Sequence, residues 1–579
     1  MALVRTLVCQ RTFSSVRRKA SFQAPLVFDY RFTYKRRRDS VGSRCFASSF
    51  NEDFSKEHQD VVITYLTDVE GDKAYLDRYV QNSKVLQFCE ASEDFPYDQC
   101  ISFKSDKSML IYGGDVWDKG GFDLYVIRQL LDLKRRYPNR VQMIMGNRDI
   151  VKLRILQELG VMNTEKLPEH PGLLWLKGTG RVGDPDSSPP PKEPVERLKW
   201  ILSQTRGSPQ AFEHRLNELQ SENKNLNITD MDVVRSYQLS CHPQGELGQY
   251  LSKANLVIKL GPILVVHGSL PLTEDAIVNA AKKGQESVWD DLTFCMPWIL
   301  PGESAKENYG VTSIDEWLEA LNQFGRDRVQ NWKDEIKSIE EGKPFDPNVW
   351  AYKAGYHNGP TYSALIQYGM GMKLNRKQNP TVVYNSFTPK GMPHKFFPNA
   401  EGEYLKYTKE FFDRAQIQLV LAGHKPQGDM PNPIRVDSSA WVLCCDTSYS
   451  GDTIWYDDDN VTAKEAMRTN SGQGKASSFR GDVAVSEVLL ELGAFGSMLK
   501  SVKYHGVLSD GTEYETINLL DHGENSMIGQ VAPDHLVPSE KESPHQGRWW
   551  LKSVFSDGSH LFYAGEGFDV WNFVSKPPP

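Results

Sequence analysis

Five side chains with metal-binding chemistry stand at the ends of short apolar segments in this sequence. They are Asp68, Asp115, Asn147, His267 and His424. Carboxylate oxygens, an amide oxygen and imidazole nitrogens together form a mixed ligand set that suits manganese, iron or zinc. Taken singly, each residue would more often be a turn residue, a helix cap or an ordinary buried imidazole. Their shared position at the ends of apolar segments is what indicates a metal site.

The apolar segments that precede these residues are predicted to be buried strands. They span residues 61–67, 108–114, 141–145, 256–268 and 418–424, and a further strand is predicted over 441–447. A helical period over residues 122–136 lies between two of them, so strand, loop and helix alternate and the predicted fold class is α/β. Ligand-binding groups gather at the carboxyl ends of strands in open α/β sheets, so we expect the five residues to meet in one crevice.

Composition argues against several classes of protein. The 579-residue chain has 67 Lys and Arg against 75 Asp and Glu, a net charge of −8, so no nucleic-acid groove is predicted. No run of about 18 uncharged apolar residues occurs, so no membrane span is predicted. The eight cysteines are scattered without a C-x-x-C pair, which argues against a zinc knuckle or a disulfide scaffold.

Residues 1–55 differ in composition from the rest of the chain. They are rich in Arg and Ser, and their first acidic residue is Asp29, which is typical of an organelle transit peptide. We expect this segment to be disordered and to direct the protein to a mitochondrion or a plastid. The alternative is a disordered basic tail on a cytoplasmic protein.

The segment ends also carry an ordered series of motifs. They read TDVEGD (67–72), GGDVWDKG (113–120), GNRD (146–149), VHGSLP (266–271) and AGHKP (422–426). This series resembles that of the calcineurin-like metallophosphoesterases, which read D-x-H-G, G-D-x-x-D-R-G, G-N-H-D/E, H-G-G-L and G-H. The resemblance is to a divergent member of the branch that holds phosphoprotein phosphatases and dinucleoside tetraphosphatases, and it covers residues 60–455.

The resemblance implies a four-layer α/β/β/α sandwich. Two helical insertions would interrupt it, at about residues 160–250 and 273–415. A β-rich C-terminal region over residues 480–579 follows, in which two Ser-Asp-Gly turns, within 507–514 and 554–563, predict hairpins.

The same resemblance implies two divalent metal ions, of manganese, iron, zinc or magnesium. Asp115 would bridge them, Asp68 and Glu70 would hold the first, and the second would be held by Asn147, His267 and His424. The reaction implied is hydrolysis of a phosphoester or phosphoanhydride by attack of a metal-bound hydroxide on phosphorus.

Two positions depart from the family pattern. Glu70 stands where the family has a histidine ligand, and Arg148 stands where it has the histidine that protonates the leaving oxygen. Because a guanidinium stays protonated, Arg148 cannot act as a general acid. Asp118, which orients that histidine in the family, could pair with Arg148 instead, and Lys119 replaces a phosphate-binding arginine. The predicted catalytic residues are therefore Arg148, Asp118 and Lys119, binding phosphate and stabilising charge.

These departures shape the functional expectation. A missing proton donor costs about 10²–10⁴-fold in rate, so anhydrides and other good leaving groups are expected to be preferred over phosphoserine. A phosphorylated small molecule or a nucleotide is then favoured over a phosphoprotein as substrate. The alternative is a catalytically weak or inactive scaffold that keeps the fold and a metal and binds a ligand or partner.

Three further residues have competing interpretations. Asp149 is expected to cap a helix rather than to bind metal, and Asp446 is expected to be structural. His357 is a candidate to line the site from the second insertion, the alternative being an ordinary loop residue.

Overall fold

The computed structural model describes residues 60–447, 454–457 and 483–575, apart from short internal stretches. The omitted residues within these limits are 94, 162–166, 168, 171, 174–175, 293–310, 344–361, 372–380, 394–402, 494–495, 497, 509–510, 522–525, 536, 538–547, 556 and 567–568. The expected transit peptide and His357 therefore lie outside the described residues.

Strands occur at each of the six predicted apolar runs, and strands that the sequence did not predict form at residues 86–90, 99–103 and 432–435. The C-terminal region adds more. The strands are β1 (Val61–Leu66), β2 (Leu86–Glu90), β3 (Gln99–Phe103), β4 (Ser108–Tyr112), β5 (Val141–Met143), β6 (Val257–Leu260), β7 (Ile263–Val266), β8 (Leu419–Ala422), β9 (Asn432–Arg435), β10 (Trp441–Cys444), β11 (Ile454–Asp457), β12 (Val485–Leu492), β13 (Leu499–Val507), β14 (Glu513–Glu515), β15 (Trp550–Val554), β16 (His560–Glu566) and β17 (Asp569–Ser575).

The α-helices lie between the strands and in the two expected insertions. They are α1 (Lys73–Asn82), α2 (Asp123–Arg136), α3 (Asn147–Val151), α4 (Ile155–Leu159), α5 (Pro194–Trp200), α6 (Ala211–Glu222), α7 (Asp230–Ser240), α8 (Glu246–Leu251), α9 (Glu274–Lys282), α10 (Ile314–Glu340), α11 (Ser363–Gly369) and α12 (Glu403–Ala415). Within the described residues, no helix combines the length and apolar character needed to cross a membrane.

Two large mixed sheets form the core. The first has the order β14-β13-β12-β1-β4-β5 and the second the order β6-β7-β8-β10-β9. In the first sheet β1, β4 and β5 run parallel, and in the second β7, β8 and β10 do. Helices α1 and α2 contact the first sheet and α10 contacts the second, so the α/β fold class is confirmed.

Three of the C-terminal strands belong to the first core sheet. Strand β12 pairs antiparallel with β1 along its length, and β13 and β14 extend the same sheet. The antiparallel strand pairing expected on either side of the two Ser-Asp-Gly segments is confirmed, as β13–β14 and β15–β16. The chain thus returns from its C-terminal part to complete the sheet that begins at residue 61.

A buried carboxylate fastens this returning strand. Glu487 of β12 is 1% exposed and accepts hydrogen bonds from the Thr64 hydroxyl at 2.8 Å and the Lys84 backbone N–H at 2.6 Å. Its second oxygen also lies 2.8 Å from His505 Nε2. Strand β1, the chain after α1 and strand β13 therefore all meet at one side chain.

We expect Glu487→Ala to destabilise the protein, because it leaves buried donors without an acceptor at about 1–3 kcal/mol each. Thermal unfolding should show a melting temperature lowered by several degrees. Glu491→Ala, at a half-buried position on the same strand, is the matched control and should shift it little. Equal shifts for the two variants would contradict this role of Glu487.

Candidate metal centre

The loops that follow several strands contain residues with an unusual, positive backbone angle φ. Six non-glycine residues in the described part have φ in the left-handed region, and all but Gln416 are predicted site residues: Asp68 (52°), Glu70 (49°), Asp115 (53°), Asp118 (110°) and His424 (71°). Such conformations are unfavourable for L-residues and persist where the surroundings hold them, commonly at functional sites. The strain is therefore concentrated in the loops that follow β1, β4 and β8.

Four of the predicted ligands converge on one point. Ligand atoms of Asp115, His267 and His424 all lie within 4.8 Å of one another. The Asn147 Oδ1 atom lies 3.1 Å from His267 Nε2 and 2.9 Å from His424 Nδ1. These residues follow β4, β5, β7 and β8, so both sheets contribute to the cluster. One carboxylate, one amide oxygen and two imidazoles fit a borderline-soft divalent cation.

The ring of His267 is oriented for metal binding. Its Nδ1 atom lies 2.8 Å from the Gly113 carbonyl oxygen, an acceptor, so Nδ1 carries the proton of the neutral ring. Its Nε2 atom then faces Asn147 and, at 3.4 Å, Asp115 Oδ2. A backbone carbonyl that fixes the tautomer in this way is the usual second partner of a metal-bound histidine.

The cluster has the electrostatics of a cation site. Burial alone would lower the pKa of His267, but the carboxylates of Asp115 and Asp68 raise it to about 10. Burial and the neighbouring charge of His267 lower the pKa of His424 to about 3. Burial opposes ionisation of Asp115, but the combined effects of His267, Arg148 and His424 outweigh it and lower the pKa of that carboxyl. Without a cation, the proton on His267 thus supplies the positive charge that the site requires.

Asp68 and Glu70 face other partners. Both oxygens of Asp68 lie 3.1 Å from the His424 backbone N–H, and one accepts from the Thr67 hydroxyl at 2.5 Å. Burial and the nearby carboxylate of Asp446 raise the pKa of Asp68 well above its usual value. In the described part of the chain, the group of ligand atoms that lie within 4.8 Å of one another comes from Asp115, His267 and His424. Asp68 and Glu70 do not belong to this group.

Arg148 lies against Glu70. Its Nε atom is 2.6 Å from Glu70 Oε1 and 3.8 Å from Asp115 Oδ2, while Nη1 is 3.8 Å from Asp118 Oδ2. The expected pairing with Asp118 is therefore present only at long range. Asp118 has a nearer cation in the fully buried Lys152, whose Nζ lies 2.9 Å away. Lys119 lies 3.8 Å from the other Glu70 oxygen, and its side chain is 15% exposed.

Asp149 holds together the loop that carries Asp115 and the loop that carries Gly146. Its carboxylate accepts from the backbone N–H groups of Asp115, Val116 and Gly146, each at 2.9 Å. It lies at the third position of α3, and by accepting from the N–H of Gly146, the N-cap residue, it caps the start of this helix, as the sequence predicted. Burial and the charge of Asp115 raise the pKa of Asp149 to about 7.

Some residues of the site carried no signal in the sequence. Lys152 lies one helical turn after Arg148, and its pairing with Asp118 requires the tertiary structure. The ring of Tyr384 lies 5.0 Å from the His424 ring, and Tyr384 is 39% exposed. Ser208 Oγ and the Arg206 carbonyl, both between α5 and α6, accept from Arg148 Nη1 at 3.1 Å.

Comparison with known proteins leaves the family open. No family model matches the chain, and no curated protein does. Similar solved structures include a cold-active protein tyrosine phosphatase, at 14% identity and a TM-score of 0.34 over 80% of each chain. A second such phosphatase, from a psychrophilic Shewanella species, has 13% identity and a TM-score of 0.31 over 79% of this chain and 80% of that one.

A third neighbour is a serine/threonine phosphatase from Saccharomyces cerevisiae with similarity to human phosphatase PP5. It has 10% identity and a TM-score of 0.28, over 77% of this chain and 80% of its own. These neighbours are phosphatases, but a likeness at such TM-scores does not decide the function of this chain.

We expect Gly146→Ala to weaken divalent-metal binding at least tenfold. A Cβ atom at Gly146 would lie 2.1 Å from Asp115 Oδ1 and 2.3 Å from the Asp115 backbone nitrogen, so the carboxylate would have to move. Titration calorimetry with Mn²⁺ measures the effect. Gly121→Ala is the control, because nothing lies within 4 Å of a Cβ there. Unchanged affinity in Gly146→Ala would show that Asp115 is not a ligand.

Proposed function

We propose that this protein is a metal-dependent phosphoesterase that hydrolyses phosphoesters or phosphoanhydrides. The observation that carries the proposal is the convergence of Asp115, Asn147, His267 and His424 from four separate strand ends. Residues so far apart in sequence meet as one ligand set, in which Asp115 and His267 are buried and the other two are half-buried. The guanidinium of Arg148 lies beside it, with Nε 3.8 Å from Asp115 Oδ2. The ordered motifs point to the same chemistry.

The four converging residues would hold a divalent cation, with manganese, iron and zinc favoured by the mixed nitrogen and oxygen donors. Such a cation supplies positive charge to a phosphate oxygen and lowers the pKa of a nearby water. The protein itself contributes geometry: Gly113 fixes the His267 ring, and Asp149 holds the loop that carries Asp115.

Arg148 and Lys119 would bind the phosphate group. Their side chains are 16% and 15% exposed, so both reach the edge of the site while remaining partly desolvated. Charge-assisted hydrogen bonds from such groups to phosphate oxygens are short and strong. Burial alone would lower the pKa of Arg148, but Glu70, Asp118 and Asp115 raise it above its usual value. Arg148 therefore stabilises charge and does not deliver a proton to the leaving group.

This lack of a proton donor predicts substrate preference. With Mn²⁺ or Zn²⁺ bound, we expect an aryl phosphate and a dinucleoside tetraphosphate to be hydrolysed about 10²–10⁴-fold faster than a phosphoserine peptide, because a general acid contributes about that factor. Initial-rate measurements over the panel test this. Comparable turnover of the peptide and the anhydride would contradict it.

Two variants of Arg148 distinguish the effect of a missing proton donor from the effect of the positive charge. Arg148→His, which introduces a group that can donate a proton, should raise turnover of the peptide more than that of the anhydride. Arg148→Gln removes the charge without adding a proton donor, so it should slow both substrates. Asp115→Asn should abolish turnover of both through loss of the metal.

The second candidate function is a scaffold that binds metal and a phosphorylated ligand without turnover. The ion pair of Arg148 with Glu70 favours it, since a carboxylate implied to bind metal is paired internally. Metal and phosphate binding with no hydrolysis of any substrate in the panel would establish this alternative.

We also propose that residues 1–55 direct import into a mitochondrion or a plastid, on the basis of their Arg- and Ser-rich, acid-poor composition. A fluorescent protein fused to this segment should enter one of these organelles. The same fusion with the arginines of the segment changed to glutamine should stay in the cytoplasm. Cytoplasmic fluorescence of the unmodified fusion would contradict the proposal.

A further inference from the structure

We infer that the site binds one divalent cation and that the guanidinium of Arg148 takes the place of a first cation. The inference rests on the proposed function and concerns the residues Asp68, Glu70 and Asp115, to which the sequence resemblance assigns the first of two metals. The arrangement of these residues does not fit that metal.

The decisive contact is the pairing of Arg148 with two of the three implied ligands. Its Nε atom lies 2.6 Å from Glu70 Oε1 and 3.8 Å from Asp115 Oδ2. Glu70 is 2% exposed, so its carboxylate is desolvated and the ion pair with Arg148 stabilises its charge. A cation placed between Glu70 and Asp115 would meet a permanent positive charge in the same space.

Arg148 is anchored at both ends. Its backbone N–H donates to Asp115 Oδ1 at 2.8 Å, and its Nη1 donates to the Arg206 carbonyl and the Ser208 hydroxyl at 3.1 Å. The Arg206 side chain is itself buried against Glu158 at 3.2 Å. Because these groups hold Arg148 in place, displacing the guanidinium would break several partly buried contacts.

The third implied ligand is also engaged elsewhere. Asp68 accepts hydrogen bonds from the His424 backbone N–H and the Thr67 hydroxyl. By contrast, the close contacts of Asn147 Oδ1 with His267 and His424 are contacts between ligand atoms, which a cation would replace. One half of the implied two-metal site is therefore closed by protein groups, and the other half is arranged for an ion.

The two departures from the family pattern, Glu70 and Arg148, form an ion pair with each other. A histidine at position 70 could not form an ion pair with Arg148, whereas the carboxylate of Glu70 pairs with it at 2.6 Å. A fixed guanidinium beside the remaining cation would bind a phosphate oxygen as a planar donor with permanent charge. The pair replaces a metal and its histidine ligand with a charge that cannot dissociate.

The test counts metal ions in the full chain. Protein loaded with excess Mn²⁺ and freed of unbound metal by gel filtration is measured by plasma mass spectrometry and electron paramagnetic resonance. We expect one Mn²⁺ per chain and the signal of an isolated ion. Two ions per chain with an exchange-coupled signal would overturn the inference and leave the proposed function standing. One ion without turnover would uphold the inference and overturn the function, and no bound metal would overturn both.

Variants provide a second measurement. The double variant Glu70→His with Arg148→His removes the internal pair and should bind two ions with a coupled signal. Lys119→Ala is the control, because it removes the neighbouring positive charge but leaves Arg148 in place, and it should still bind one. A double variant that is folded by circular dichroism yet binds one ion would overturn the assignment of Arg148. If it does not fold, the wild-type stoichiometry decides.

Discussion

The hydrogen bond between His267 Nδ1 and the Gly113 carbonyl, at 2.8 Å, is the contact on which the site depends most. Gly113 follows strand β4 of the first sheet, and His267 follows β7 of the second. This bond therefore joins the carboxyl ends of both sheets and also determines which nitrogen of His267 faces the cluster. The Gly423 N–H, which donates to the His267 carbonyl at 2.8 Å, brings His424 to the same place. A small shift between the sheets would separate the ligands.

Tight loops at the strand ends provide the second constraint. A Cβ atom at Gly423 would lie 2.1 Å from Asp68 Oδ2, so only glycine allows this approach. Asp68, Asp115 and His424 adopt left-handed backbone conformations in the same loops. Such strain persists because buried hydrogen bonds hold the loops, among them the three that Asp149 accepts. Rigid loops pre-organise ligands that would otherwise repel one another.

Much of this site could be predicted from the sequence, because apolar runs of strand length end at Asp68, Asp115 and His267. Parallel strands place their carboxyl ends on one side, so the grouping of ligands within each sheet follows from topology. The meeting of the two groups depends on how the sheets pack, which the sequence does not reveal. The partner of Arg148 could not be predicted in the same way. Asp118 was the expected partner, but Ser208 and Arg206 hold the guanidinium on the side of Glu70. They lie between α5 and α6, 58 and 60 residues along the chain from Arg148, so no local pattern reveals these contacts. The pairing of β12 with β1 is equally non-local, since more than 400 residues separate the strands.

The pairing of Glu70 with Arg148 has a consequence for how the site could change. Replacing Arg148 alone removes a cation that lies 2.6 Å from the Glu70 carboxylate, which is 2% exposed, while Lys119 Nζ lies farther away, at 3.8 Å. Replacing Glu70 alone leaves the guanidinium with carboxylates at 3.8 Å. Removing one member of a buried ion pair is destabilising because the other stays desolvated. Each single step towards a two-cation site is therefore unfavourable, and the two positions are expected to change together.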